Sequence, residues 1–543
     1  MPWQNALDQY LTPRRQRFAL AALCVIYALF LTYHITAPFI GTSEAFNGTF
    51  GIAAANWLRL GPIKLAFTQM TPFGNEKILT AVTDNFVLTH PQFFIAPAAL
   101  SYVLFGIGEW QTRLAPVIFS LLSLAVFWAL MKRVFKTPSL VLLASLGYIF
   151  FPISIFYGRM LTQEPITLFF VLALFWATIA FEEEKKSKYL LMLSTTVFLG
   201  GLMDWEFFFA AAAAFGYIAW KRDYPDRFAA LVLVPATLMA SLGVTLLQIW
   251  AVADTNPISF LRAIFLARSP NPASILPLFL VLRSNFDLIN FSEIGLILAA
   301  IGLVSYVSMN KKNRGNILFA IMLAAPGVLT YVVFFTHATV HQFIGFYFIP
   351  PIALAAAWGL HRIRRAWVAG AVFAIFMVSC LWYAGNLFAY KSFADDDFLM
   401  LKRADAAIPL AEAICMGENS VNDNIKFYLF PHQMDDTPCP PDKYFVLRAP
   451  ESYAKKDPSA SLLQSFFTQG FFENLHLVSF AAAAGIEVIK SSPFLKQKVE
   501  TVLASHDPHA NYAVEAKRVR DLVDSNHLRA IDCSTYFCLY KKT

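Results

Sequence analysis

An arginine and a glutamate interrupt a long apolar region in the stretch FYGRMLTQEPITLFF, residues 156–170; they are Arg159 and Glu164. Ionisable side chains at membrane depth or at span ends are costly, which makes them functional candidates by default. The same residue types recur in other links between apolar runs. The link 38–111 holds Glu44 in FIGTSEAFNG, Arg59 in NWLRLG, Glu76, Asp84 and His90 in LTHPQFF, and Arg113 follows it. Asp204 and Glu206 occupy MDWE, the link 251–287 holds Arg262, Arg268 and Arg283, and THATVHQF holds His337 and His341. A carboxylate can take a proton from an acceptor hydroxyl as general base. An arginine can hold a phosphate by paired hydrogen bonds and stabilise it as it leaves. Gathered on one face beside lipid, these groups would suit a transfer reaction from a lipid phosphate.

Each residue also has a plainer reading. A single link residue is as often solvated loop as site, Asp204 and Glu206 could form a simple hairpin turn, and the three arginines of 251–287 could bind anionic headgroups. His337 and His341 are four apart, so on a helix they share a face and could hold a divalent metal; without a nearby Glu in the motif, hydrogen bonding is the favoured reading. Asn47 lies in a sequon, NGT, a pattern common by chance.

The elements that must position these residues follow from composition. The chain has 543 residues, 57% hydrophobic and only 15% charged, against about 25% charged in a soluble domain. It reads as a polytopic α-helical membrane protein. Apolar spans of suitable length fall at 18–37, 112–131, 138–156, 165–181, 189–204, 206–220, 228–250, 288–308, 316–335, 343–360 and 366–389. The run 91–106 is short and carries Pro91 and Pro97.

Basic residues form six clusters of three: Arg14/Arg15/Arg17, Lys132/Arg133/Lys136, Lys185/Lys186/Lys188, Lys221/Arg222/Arg227, Lys311/Lys312/Arg314 and Arg362/Arg364/Arg365. With eleven spans all six share one side, the cytoplasm by the positive-inside rule; a twelfth span at 91–106 would split them. Segment 91–106 is therefore expected to lie along or dip into the outer face. The N-terminus is then cytoplasmic, the link 38–111 external, and the C-terminus external. Six short clusters instead of one extended basic patch give a nucleic-acid partner little support.

Composition shifts near residue 390, dividing a membrane module, 1–390, from a soluble domain, 391–543, expected to be α/β and periplasmic or external. AEAICMGEN, KYFVLRAP and STYFCLYKK read as strands and SVNDNIKFYLF as a helix. Cys415, Cys439, Cys533 and Cys538 all fall in this domain, and in an oxidising compartment they suggest disulfides. Local pairing, 415 with 439 and 533 with 538, is the favoured one of three connectivities. Cys24 and Cys380 lie in spans and read as packing.

The order of features resembles the C-type glycosyltransferase superfamily (GT-C). It is most similar to transferases that use a dolichyl- or undecaprenyl-phosphate sugar: protein O-mannosyltransferases and bacterial enzymes that add aminoarabinose or similar sugars to lipid A. The resemblance runs over roughly 15–390: TSEAF after the first span, THPQFF before LFGIGEWQTRL, and RMLTQEPITLFF at the fourth span. It implies amphipathic helices in the first external link and Glu44 as the catalytic base, with Glu164 as the second acidic position. Both replace the aspartate usual in the family. Ser43 stands where the family often has a further aspartate, and Asp204-Trp205-Glu206 where some relatives carry a lysine.

The expected activity is inverting transfer of a sugar from a polyprenyl-phosphate donor to a lipid, glycan or protein acceptor on the external face of an inner or plasma membrane. Glu44 and Glu164 are the expected catalytic pair. Arg59, His90, Arg113, Arg159, Arg262, Arg268, His337 and His341 would bind the donor or its phosphate. The motifs make no cofactor certain, a divalent metal could take part, and membrane lipids are partners. Two other functions fit the composition: a transporter or flippase of a lipid-linked sugar, and a non-catalytic envelope assembly protein.

Overall fold

The computed structural model describes residues 2–39, 44–70, 86–253, 256–268, 283–284, 286–310 and 314–389, and beyond these only strand segments of the C-terminal part. A short helix α1 (Pro2–Tyr10) leads into α2 (Pro13–Thr32), which starts on a proline whose missing N–H costs nothing at a first turn. Helix α3 (Ala45–Leu60) and α4 (Ala96–Phe105) belong to the first long link. Then come α5 (Glu109–Val134), α6 (Pro138–Phe150), the short α7 (Pro152–Tyr157), α8 (Gln163–Glu184), α9 (Ser187–Gly201), α10 (Glu206–Trp220) and α11 (Arg227–Val252). Helices α12 (Pro257–Arg268), α13 (Glu293–Asn310), α14 (Arg314–Val333), α15 (Phe335–Val340), α16 (Ile349–His361) and α17 (Ala366–Ala389) complete the module.

Seven helical stretches among the described residues are long and apolar enough to cross a membrane: α2, α5, α8, α11, α14 over 316–333, 342–361 and α17. The chain is a multi-pass membrane protein. The other four expected spans are met by shorter helices, α6, α9, α10 and α13. At 91–106, α4 buries Ala98, Ala99, Ser101 and Tyr102 while exposing Leu100, Val103, Leu104 and Phe105, an apolar face that suits lipid. Helix α3 is more deeply packed than a surface helix: 50–57 are buried, and only its last turn, Leu58 and Arg59, is exposed.

Small residues set the closest helix contact. A Cβ on Gly302 of α13 would meet Ala355 O of α16 at 1.7 Å, and one on Gly359 would meet Leu298 O at 2.1 Å. In membranes, where lipid removes the hydrophobic drive between helices, such close backbone approach replaces it. Gly158, just after α7, is constrained similarly: a Cβ there would lie 2.2 Å from Ser154 O and 3.0 Å from the Tyr27 hydroxyl of α2. That glycine lets the turn carrying Arg159 sit directly against α2.

The two ends of the bundle differ. At one end Trp3 Nε1 donates to Ile363 O (2.8 Å), Gln4 Nε2 to His361 O (2.9 Å), and Ser139 N to Asp8 Oδ1 (2.7 Å). Arg133 pairs with Glu183 and Glu184, and Lys221 with Glu182. The basic turns after α5, α8, α10 and α16 thus gather with α1. Tyr306 brings the α13–α14 link to the same end, its ring 6.3 Å from Phe135 and 5.7 Å from Trp358. Lys311 and Lys312 lie outside the described residues.

The C-terminal strands are β1 (Ile414–Met416), β2 (Met434–Asp435), β3 (Tyr444–Arg448), β4 (Leu528–Cys533) and β5 (Phe537–Lys542), ordered β2-β1-β3-β5-β4. β1 runs parallel to β2 and β3, whereas β5 is antiparallel to β3 and β4. The described strands therefore form a mixed sheet. The three expected strands are β1, β3 and β5; β2 and β4 were not legible. The expected helix at 420–430 and Cys439 lie outside the described residues.

Candidate functional site

Glu44 directly precedes α3, Glu164 sits in the first turn of α8 and Glu206 in the first turn of α10. Helix N-termini carry unpaired N–H groups and the positive end of the macrodipole, so each acid stands where a negative charge is favoured. All three converge at the end of the bundle opposite the basic turns.

Glu44 is buried, at 3% exposure, between two guanidinium groups. Its Oε1 receives Arg113 Nη2 at 2.7 Å and Arg159 Nη2 at 3.3 Å. Arg113, 0% exposed, also donates through Nη1 to Ile35 O (2.8 Å) and Ala37 O and lies over the Phe39 ring. Arg159 donates to Tyr33 O and lies over Phe388. Burial first, then the neighbouring Arg113 cation, lowers the Arg159 pKa to about 10, so it remains a cation at neutral pH. Asn47, one turn into α3, accepts the Leu161 N–H on Oδ1 at 2.7 Å and is fully buried. It ties α3 to the Arg159 turn, and a buried side chain so engaged is not a glycan acceptor.

A second acidic group is built around Asp204. Asp204 Oδ1 is 3.0 Å from His90 Nδ1 and accepts Trp205 N–H at 2.8 Å, while Tyr347 donates its hydroxyl to Oδ2 at 3.1 Å. Glu206 interacts with Asp204, and Glu164 lies within electrostatic range of both. All three are nearly fully buried, and Glu164 Oε2 and Glu206 Oε2 have no hydrogen-bond partner among the described residues. Burial is the main force pushing the Asp204 carboxyl up, to about 6.

A row of rings joins the two groups. His90 lies 6.1 Å from His337, His337 lies 4.2 Å from His341, and His341 lies 5.9 Å from Phe46 on α3, ring centre to ring centre. The segment bearing both histidines is pinned from behind. Arg283 donates Nη1 to Ala338 O and His341 O and Nη2 to Gln342 O, while pairing with Asp287. Gln342 bridges Asn290 and Tyr157, next to the Arg159 turn.

The structure therefore brings together Glu44, Arg113, Arg159, Glu164, His90, His337 and His341. Arg59 is exposed at the end of α3, and Arg262 is exposed on α12; Arg268 closes α12, and its side chain lies outside the described residues. Among the described residues no group of three His, Cys, Asp or Glu is placed to hold a metal ion. Cys24 and Cys380 are free thiols. Cys533 and Cys538 are backbone partners in the β4–β5 ladder. The sequence reading named Asp204 and Glu206 but left their role open, and it gave none to Tyr347, Gln342 or Asn290. MDWE carried the signal that exposed Glu164, acids between two apolar runs, and could have been weighed equally.

A family model for dolichyl-phosphate-mannose-protein mannosyltransferase matches residues 89–250, a range that holds His90, Arg113, Arg159, Glu164, Asp204 and Glu206. No curated protein matches the chain in sequence. The structure is similar to ArnT from Cupriavidus metallidurans bound to undecaprenyl phosphate, with a TM-score of 0.59 and 12% identity, covering 97% of each chain. The apo state of that protein matches at TM-score 0.56 and 14% identity, over 81% of this chain and 94% of the other. In fold, and over residues 89–250 in sequence, the chain resembles the GT-C membrane glycosyltransferases of the protein O-mannosyltransferase and ArnT type.

Proposed function

We propose that this protein is an inverting glycosyltransferase that moves a sugar from a polyprenyl-phosphate donor to an acceptor hydroxyl or amine on the external face of the membrane. The observation that carries the reading is the buried Glu44, whose Oε1 is shared by two guanidinium groups while Oε2 takes neither. A carboxylate fixed by one oxygen can offer the other to an acceptor proton in a set direction. As Glu44 takes that proton, the acceptor attacks the anomeric carbon, and the bond from that carbon to the phosphate oxygen breaks. The electron pair leaves with polyprenyl phosphate. Glu164 orients the acceptor from the neighbouring acidic group.

This placement shifts emphasis among the arginines. Arg113 is wholly buried on Glu44 and two carbonyls, so it acts as the anchor of the base. His90, His337 and His341 line the wall nearest the acids and would meet the departing phosphate together with Arg159. The exposed Arg59 and Arg262, with Arg268, suit lipid headgroups at the approach. The likeness to ArnT, whose structure binds undecaprenyl phosphate, supports the donor class. The basic turns at the opposite end support an external site with a cytoplasmic N-terminus and an external 391–543 domain, by the positive-inside rule. In that compartment Cys415, Cys439, Cys533 and Cys538 would pair locally.

The test is to incubate purified protein with polyprenyl-phosphate sugars and follow release of polyprenyl phosphate. Wild-type turnover in both Glu44→Gln and Glu164→Gln would sink the reading. For orientation, a cysteine placed at position 59 should react with an impermeant thiol reagent added outside, and reaction only from the cytoplasmic side would reverse the topology.

A further inference from the structure

His90 and Asp204 come from segments 114 residues apart, yet the ring nitrogen and the carboxylate meet at 3.0 Å. The arrangement around them is built. Trp205 closes the turn by donating Nε1 to Thr89 O at 2.8 Å, which fixes the backbone beside His90 from the Asp204 side. Tyr347 holds the second oxygen of Asp204, so the carboxylate cannot swing away without losing that bond. The pair is unequal in access: the Asp204 side chain is 1% exposed and that of His90 is 11% exposed. The carboxylate is thus the buried partner and the imidazole the one nearer the site.

We propose that Asp204 is a positioning residue that holds His90 as an imidazolium, so that His90 presents a fixed positive charge to the donor's phosphate. The inference rests on the donor class proposed above and adds the device that charges the wall. An opposite charge at hydrogen-bond distance favours the ionised histidine. The groups facing His90 act in both directions. Glu206 of α10 lies within electrostatic range of both His90 and Asp204, Glu164 of α8 lies within range of Asp204, Tyr347 from the segment before α16 steadies Asp204, and His337 of α15 would oppose the cation if it were itself protonated. A histidine charged in this way loses its charge as pH rises, which a lysine at the same place would not do over the same range.

The experiment uses the full chain in lipid nanodiscs and diethyl pyrocarbonate, which acylates neutral imidazole. The extent of His90 modification is mapped by peptide mass spectrometry across pH 5–9, as an estimate of order one pH unit needs about this range. The modification midpoint for His90 should lie above that of an ordinary histidine and fall by about one pH unit or more in Asp204→Asn. Tyr347→Phe should shift it in the same direction by less. In the transferase assay the alkaline limb of kcat should move down with Asp204→Asn. His90→Lys should remove that limb and make turnover insensitive to Asp204→Asn.

An unchanged His90 midpoint in Asp204→Asn, with the melting temperature preserved, overturns the proposal. So does a turnover loss equal at every pH. If the midpoint moves as expected but no variant, wild type included, releases polyprenyl phosphate, the ion pair stands and the proposed function fails.

Discussion

The two ends of the bundle carry similar charged residues in opposite settings. At the basic end Arg133 meets Glu183 and Glu184 with side chains 20–43% exposed, and Lys186 reaches Glu184 while 60% exposed. At the other end Glu44, Arg113 and Arg159 form an ion triad with no side chain above 4% exposure. Exposed pairs contribute about 0–1 kcal/mol, because water and salt screen them. A buried pair has a desolvation cost that can exceed its Coulombic gain, and removing one partner strands the other. The basic end therefore reads as orientation and solubility, where numbers of charges matter more than their geometry. The acidic end keeps costly charges in fixed positions, which stability alone does not require.

That contrast can be broken by substitution. The largest effect is expected from Glu44→Gln, which keeps the shape but removes the proposed base: turnover should fall about 10²–10⁴-fold, measured as polyprenyl phosphate release. Next is Arg113→Met, which leaves Glu44 in a buried site with only the longer Arg159 contact; a loss of about 3–5 kcal/mol is expected, read as a lower melting temperature in detergent. A smaller effect separates the second acidic group. Because the folded pKa of Asp204, about 6, lies above the ordinary carboxylate value, the folded state binds the extra proton. Stability should therefore decline as pH rises from about 4 to 6 and level off above, by roughly 1–3 kcal/mol. Asp204→Asn should flatten that slope, and a slope unchanged in the variant would contradict the assignment. The smallest effect belongs to the basic end, where Arg133→Met should change the melting stability by at most about 1 kcal/mol and leave turnover intact. A loss there as large as that of Arg113→Met would erase the distinction between the ends.

Helix packing offers one more comparison within the fold. Gly359→Leu at the α13–α16 crossing would force backbones apart where no side chain can yield, since the nearest atoms are carbonyl and amide. Gly370→Leu, where a Cβ meets nothing within 4 Å, should be silent. Thermal unfolding of the pair measures the difference, expected at about 1–3 kcal/mol or more.

Hydropathy and charge, read along the chain, determined that this is a polytopic helical protein, where its apolar helices fall, and that basic residues belong together at one end. These are local quantities: a helix in lipid satisfies its own backbone, so span length and flanking Lys or Arg suffice to place it. Residue type alone also marked Glu44, Glu164, His90 and the arginines, because an ionisable group beside an apolar run is costly enough to stand out. Only the tertiary structure decided what those groups do to one another. Arg113 has no partner legible in the sequence, whereas the fold sets its two terminal guanidinium nitrogens on Glu44 and the carbonyls of Ile35 and Ala37. Asp204 lies in the turn between α9 and α10, as its sequence allowed, but only the fold shows His90 and Tyr347, far away in sequence, closing on it. Sequence spacing carries no information about such meetings. They are set by how α3, α8, α10 and the 335–348 segment pack, which depends on glycine contacts and buried amides distributed over the whole membrane module.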